Sequence, residues 1–179
     1  MNCRMETVGI EVIEKKELSR YRELILPYIY EELLGASGDL ARDYICLGGV
    51  TEEKEESRPV SALILLREQN GDLAILSLYT LKEWRRQGIA SGLLEKAVFA
   101  ARQLFVFEDE EDECFINLKA VYRLSEPFKN VWEEFLKKND FTDFYLLKEE
   151  GELQVWAAIG ELRFYRKYTG AEEDAYVQL

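Results

Sequence analysis

The chain has 179 residues, 47% of them hydrophobic, enough for one domain with a sizeable core and too apolar for a disordered segment. Lysine and arginine number 23 against 35 aspartates and glutamates, a net charge of −12, which excludes nucleic acid as a general partner and mildly favours cationic ligands. Histidine is absent and Cys3, Cys46 and Cys114 lie far apart, which argues against any metal centre and removes every serine–histidine or cysteine–histidine nucleophile.

Val8, Ile10 and Val12 alternate with polar neighbours in TVGIEVIEKKE (residues 7–17), and the alternation predicts a strand. Ser19 is placed to cap a helix running through RYRELILPYIYEELLG, with a kink or break at Pro27 and an end at Gly35. ASGDLARD is a loop or a short second helix. YICLGGVTE (residues 44–52) and VSALILLREQ (residues 60–69) read as strands, separated by a charged turn. Asn70-Gly71-Asp72 is a hairpin turn of the Asn-Gly type. LAILSLYTL (residues 73–81) is nearly all apolar, as a strand covered on both faces would be.

From Ile89, apolar residues recur at Leu93, Leu94, Ala97, Val98, Ala101 and Phe105, the spacing of an amphipathic helix. An acidic loop at residues 108–113 leads to a strand, CFINLKAVYRL (residues 114–124). EPFKNVWEEFLKKND (residues 126–140) is a helix with Pro127 in its first turn and a buried face of Phe128, Val131, Trp132 and Phe135. FTDFYLLKE and LQVWAAIG form a closing hairpin. Residues 161–179 are aromatic, mixed in charge and unassigned, and serve to cover a cleft, add a strand or make a homodimer contact. With no repeat or linker, the expectation is one domain over residues 1–179, an α/β sandwich with helices on both faces of a mixed sheet. The N-terminal residues lack the apolar centre of a signal peptide and no run is long enough to span a membrane, so the expected location is the cytoplasm.

One stretch carries chemistry. EWRRQGIASGLLEKA (residues 83–97) gathers Arg85, Arg86, Gln87 and Gly88 at the entrance of the long helix, directly after an apolar strand. The first amides of a helix lack internal partners and its dipole is positive there, so phosphate oxygens fit. Gly88 and Ala90 keep side-chain bulk away, and Ser91 adds a hydroxyl. The other reading is a surface helix capped by solvated arginines. Neither GxxxxGK[ST] nor GxGxxG occurs.

RRQGIA (Arg85 through Ala90) resembles the Arg/Gln-x-x-Gly-x-Gly/Ala signature of the GNAT family of N-acetyltransferases, and the element order over about residues 6 to 160 agrees with that family. The resemblance implies a GNAT-like fold with a central sheet of about seven strands, the fourth and fifth splayed around acetyl-CoA. It implies that the backbone of Leu78, Tyr79 and Thr80 pairs with the pantetheine arm. It also implies that Arg85 fills the leading signature position and that the amides of Arg86, Gln87, Gly88, Ile89, Ala90 and Ser91 cradle the pyrophosphate. The implied activity is direct transfer of acetyl from acetyl-CoA to a primary amine of a small molecule or peptide, with no metal.

The chain departs from the family where the acid should be. The tyrosine found four residues before a Gly-Phe pair falls on Leu136, before Asp140-Phe141, and an asparagine that contacts CoA falls on Lys129, beside Asn130. Tyr79 and Tyr122 are the substitute acids, each with packing as its plainer explanation. Bases are scarce: Ser77 on the fourth strand, Ser125 and Glu126 beyond the fifth. Tyr28, Tyr30, Glu31 and Glu32 would line the acceptor pocket and favour a cation. The missing acid leaves open a non-catalytic CoA- or acyl-CoA-binding module, and the acidic surface an interaction domain for a basic protein.

Overall fold

The computed structural model describes residues 7–51, 57–69, 71–103, 113–123, 128–150 and 153–165. Seven strands form one sheet in the order β1-β2-β3-β4-β5-β7-β6: β1 (Val8–Val12), β2 (Tyr44–Thr51), β3 (Pro59–Arg67), β4 (Leu73–Thr80), β5 (Glu113–Tyr122), β6 (Asp143–Glu150) and β7 (Leu153–Tyr165). All neighbours are antiparallel except β4 and β5. Helices α2 (Ile89–Gln103) and α3 (Phe128–Lys138) cover one face, and a 3-10 segment (Lys15–Leu24) with α1 (Pro27–Gly35) covers the other. The expected mixed α/β sandwich with helices on both faces is the fold observed. β7 runs to Tyr165, five residues into the segment left unassigned by sequence, and residues 166–179 lie outside the described residues.

The largest departure from the sequence reading is near the N-terminus. The first strand stops at Val12, and a 3-10 segment with Ser19 inside it replaces the helix expected from that residue. Leu18, Tyr21 and Leu24 are all buried and recur every third residue, the period of a 3-10 helix, whose side chains at i and i+3 eclipse. The break expected at Pro27 is real: Ile25 is extended and Pro27 opens α1, where its missing N–H is harmless. The hairpin between β3 and β4 closes through Glu68 N to Asp72 O at 2.8 Å, with Gly71 at φ +88°, a backbone that glycine adopts without strain. Asn70 and the charged turn at residues 52–56 lie outside the described residues, as do residues 104–112, which hold most of the acidic loop.

Two glycines on β2 set the thickness of the sandwich. Gly48 lies beneath the fully buried ring of Tyr21 on the α1 face, where a Cβ would overlap the ring. Gly49 lies beneath Ile89 on the other face, where a Cβ would come within 3.1 Å of Ile89 Cγ2, so the first residue of α2 rests almost on the backbone of the sheet. The amino end of α2 is therefore held close to the sheet by the absence of a side chain.

Burial and bonding raise several pKa values together. Cys46 is pushed up from 9.0 to about 12 by burial, and Tyr44 from 10.0 to about 12, first by its hydrogen bond to Glu32. Tyr21 is raised by burial and by Glu11, and Lys119 by hydrogen bonds to Asp72 and Glu68. Each of these groups holds its proton more tightly folded than unfolded. That stabilisation is complete below the unfolded pKa and is lost as pH climbs toward the folded one. With no histidine in the chain, little titrates near neutrality. Urea-unfolding free energy is expected to be level from roughly pH 6 to 8 and to fall steadily above about pH 9. A maximum near pH 9 to 10 would contradict this assignment.

Candidate functional site

The sheet opens at one place. β4 and β5 are paired at Leu73↔Leu118, Ala74↔Lys119 and Ile75↔Ala120, after which β4 continues to Thr80 and β5 to Tyr122 without further rungs. The closed end is clamped by Asp72, which is 7% exposed. Its Oδ1 accepts from Asn117 N at 3.0 Å and its Oδ2 lies 2.8 Å from Lys119 Nζ. Lys119 Nζ also reaches Glu68 Oε2 at 2.7 Å. Beyond this clamp the strands part.

A bulge shapes the open edge. Between Ile64↔Ser77 and Leu65↔Ile75 one residue of β4, Leu76, has no opposite number. Leu76 packs in the α1-side core and Ser77 Oγ accepts from Leu26 N on that same side at 3.2 Å, so two successive side chains share a face. The alternation then resumes, with Leu78 against the α2-side core. Leu81 N donates to Val60 O on β3. Alternation along the strand therefore turns the peptide groups of Tyr79 toward β3, where its carbonyl accepts from Ser61 Oγ at 2.8 Å. The peptides of Leu78 and Thr80 face the gap toward β5, which is where polar groups of a ligand would have to be met.

After β4, a short 3-10 turn (Lys82–Trp84) leads into the charged stretch. Arg85 Nε donates to Thr80 O at 2.9 Å and its guanidinium carbon stands 5.3 Å from the centre of the Tyr79 ring, so Arg85 folds back over the end of β4. Gln87 Nε2 donates to Glu83 O at 3.2 Å. Arg86 has φ +63° and Gly88 φ +80°, an unusual pair of left-handed residues within three positions. Such turns bring successive N–H groups to one concave side. The first helical bond of α2 is Gly92 N to Gly88 O at 2.9 Å, so the amides of Ile89, Ala90 and Ser91 precede the hydrogen-bonded ladder. A Cβ at Gly88 would meet nothing within 4 Å, leaving open space before these amides. The residues therefore fit a diphosphate: free N–H groups, the positive end of a fifteen-residue helix, and an exposed Arg86 beside them. An opening of about 390 Å³ lies between Gln87, Gly88 and Gly92 of this turn and the edge-strand residues Val8 and Ile10.

The two candidate acids are far from equivalent. Tyr79 is 42% exposed and its ring lies under Arg85. Tyr122, the last residue of β5, is buried in the α2-side core, and its Oη donates to Glu133 Oε1 at 2.7 Å. Burial, and then the bond to Glu133, raise its pKa well above the ordinary tyrosine value. Leu136 is fully buried in the core beneath α3. The helix ends just beyond it through Asp140, at φ +65°, with Phe141 N donating to Leu136 O at 3.1 Å. Asp140 thus takes the left-handed cap for which glycine is the usual choice.

Of the acceptor-pocket residues, Tyr28 and Glu31 are exposed, Tyr30 is buried and Glu32 Oε1 accepts from Tyr44 Oη at 2.7 Å. Ser125 and Glu126 lie outside the described residues. Cys46 is buried, as a small apolar side chain would be; Cys3 and the side chain of Cys114 are not among those described. Sequence reasoning passed over Glu133 altogether and met Lys129 only as a misfit for asparagine. Their pairing has the i,i+4 spacing of a helical ion pair and is legible locally, whereas their contacts with Tyr122 and Trp156 come from the strands and have no local pattern. Among the described residues no three His, Cys, Asp or Glu side chains cluster as a metal site, and no helix is long and apolar enough to cross a membrane.

The sequence pattern of the acetyltransferase (GNAT) family matches residues 14–113. No curated protein matches the chain in sequence. Among solved structures, similarity extends to an IAA acetyltransferase from Bacillus cereus, at 15% identity and TM-score 0.57 over 87% of this chain and 100% of that one. The ribosomal-protein-S18-alanine N-acetyltransferase of Escherichia coli is similar at 14% identity and TM-score 0.55, over 89% and 95%. Arabidopsis thaliana NAA60 in complex with acetyl-CoA is similar at 12% identity and TM-score 0.59, over 88% and 99%. At these identities the likeness is one of fold.

Proposed function

This chain belongs to the acetyltransferase (GNAT) family, and from that premise we propose that it transfers an acetyl group from acetyl-CoA to a primary amine by direct attack, residues 1–179 acting as one acyltransferase-like domain. The observation that carries the reading is a juxtaposition. The edge of β4 at Leu78 and Thr80, which makes no rung with β5, leads directly into the turn whose left-handed Arg86 and Gly88 open the amino end of α2. A ligand with amides in its middle and a diphosphate at one end suits both features at once. Acetyl-CoA supplies an activated acyl group, and the remaining work belongs to this chain.

Leu78 and Thr80 would bind the pantetheine arm, and the amides from Arg86 through Ser91 the diphosphate. Arg85, tied to Thr80 O, would hold the turn in shape, and Arg86 would add charge. Tyr122 is the better proton-handling group, because it lies at the end of β5 where the strands have parted and its hydroxyl is already engaged with a carboxylate. Tyr79, exposed beneath Arg85, belongs with the acceptor side. The net charge of −12 favours a cationic amine, on a small molecule or a peptide. A peptide acceptor is in keeping with the similar ribosomal-protein-S18-alanine N-acetyltransferase, whose name gives it a protein alanine as acceptor.

The test is acceptor-dependent release of free thiol from acetyl-CoA, across peptide N-termini, lysine peptides, polyamines and small aromatic amines. Release with at least one class is expected. Tight binding of acetyl-CoA without release from any of them would favour a CoA-binding module instead, the reading that the buried Leu136 in place of a hydroxyl recommends.

A further inference from the structure

The most unusual polar group near the cleft is absent from the family signature. Glu133 lies on α3 one turn before Leu136, and its side chain is only 16% exposed. Oε1 accepts from Tyr122 Oη at 2.7 Å and stands 3.6 Å from Lys129 Nζ. Lys129 is 18% exposed and its ammonium lies 3.6 Å from the centre of the Trp156 ring. Trp156 is in turn the cross-strand partner of Tyr122. The groups facing this carboxylate are thus Tyr122 from β5 and Lys129 from its own helix, and β7 contributes the uncharged Trp156 beside them.

The fold has little need of this arrangement. Trp132, Phe135 and Leu136 already dock α3 on the core. A largely buried ion pair is at best neutral for stability against apolar residues of similar volume. A desolvated tyrosine–carboxylate–ammonium set, with its tyrosine just past the last rung between β4 and β5, is what chemistry, rather than packing, asks for.

We propose that Tyr122 and Glu133 form a two-residue proton shuttle that replaces the single hydroxyl missing at Leu136. The inference rests on the acetyltransferase reading above. As the acceptor nitrogen bonds to the acetyl carbonyl carbon, the proton it sheds passes to Tyr122 Oη while the tyrosine's own proton moves to Glu133. As the carbon–sulfur bond breaks, Tyr122 gives a proton to the thiolate and regains one from Glu133. The net movement is one proton from nitrogen to sulfur, and both residues finish as they began. Tyr122 is the catalytic residue. Glu133 acts through it as a positioning residue that holds the proton between the two events, and Lys129 fixes the carboxylate's orientation. The raised pKa of Tyr122 agrees with a hydroxyl that relays protons without standing as tyrosinate.

The variants Glu133→Gln, Tyr122→Phe and their double test this, with thermal unfolding as the check on folding. Each single change is expected to lower kcat about 100-fold and to leave the Kd for acetyl-CoA, read by calorimetry, within about twofold. The double variant should be no slower than either single one, because the pair acts as a unit. The acidic limb of the kcat–pH profile should flatten in Glu133→Gln, and Glu133→Asp should recover part of the rate. Glutamine keeps the size of the side chain and can still accept from Tyr122. A purely structural role therefore predicts wild-type kcat and pH profile in Glu133→Gln, and that outcome, or additive losses in the double variant, would overturn the shuttle alone. Absence of thiol release by the wild type with every acceptor would remove the activity itself, and the shuttle with it.

Discussion

Gly88→Glu is expected to weaken acetyl-CoA binding by about 100-fold or more, roughly 3 kcal/mol, as read by calorimetric titration. Two effects combine. The residue sits at φ +80°, where a side chain costs about 1–2 kcal/mol of local strain. The new side chain would project into space that is now empty, carrying a negative charge to the positive end of α2, where a diphosphate must compete with it. Gly88→Gln separates the two, because glutamine meets the same left-handed backbone strain at nearly the same size and carries no charge. It should bind acetyl-CoA much more strongly than Gly88→Glu at similar thermal stability. Undiminished binding by Gly88→Glu would mean that the diphosphate lies away from this turn and from the opening beside it, which Gly88 also lines.

The largest effect on stability is expected from Gly48→Ala. The added methyl would fall within the ring of Tyr21, which is 0% exposed and cannot swing into solvent without abandoning its bond to Glu11 Oε1 at 2.5 Å. Overpacking costs about 1–3 kcal/mol, and loss of a hydrogen bond to a carboxylate adds roughly 1.5–3 kcal/mol. A sum near 4 kcal/mol corresponds to a fall of roughly 10 °C in Tm for a domain of this size. Tyr21→Ala in the Gly48→Ala background should recover part of the loss relative to additivity, since the clash needs both partners. Full additivity would show that the ring had already moved aside.

How much of this could be read beforehand depends on the range of the cause. The apolar run Val60–Leu66 and the 3.6-residue spacing from Ile89 to Ala101 are local patterns, and β3 and α2 follow them closely. The sequence-level diphosphate site rested on backbone preferences that glycine declares openly. Arg86 declares nothing: an arginine at φ +63° is imposed by the closure of the turn. The 3-10 segment was legible in principle, since Leu18, Tyr21 and Leu24 are spaced by three, yet the neighbouring apolar residues Ile25 and Ile29 suggested an α-helix. The bulge at Leu76 depends on how β3 and β4 settle against two cores, and Glu133 depends on a tyrosine eleven residues away on another element. Neither has a signature in a single chain.

The brief pairing of β4 with β5 has a mechanical consequence. Among the described residues, β1–β4, which carry α2, are joined to β5–β7, which pack with α3, by three rungs of sheet and the side-chain clamp of Asp72. Such a seam is where native-state amide exchange divides a domain into separately opening units. A molecule bonded to Leu78 and Thr80 on one lip, and resting against β5 on the other, would act as a rivet across that seam. Saturating ligand would then slow exchange on both sides of it together, so that the two halves open as one body only while the reactant is in place.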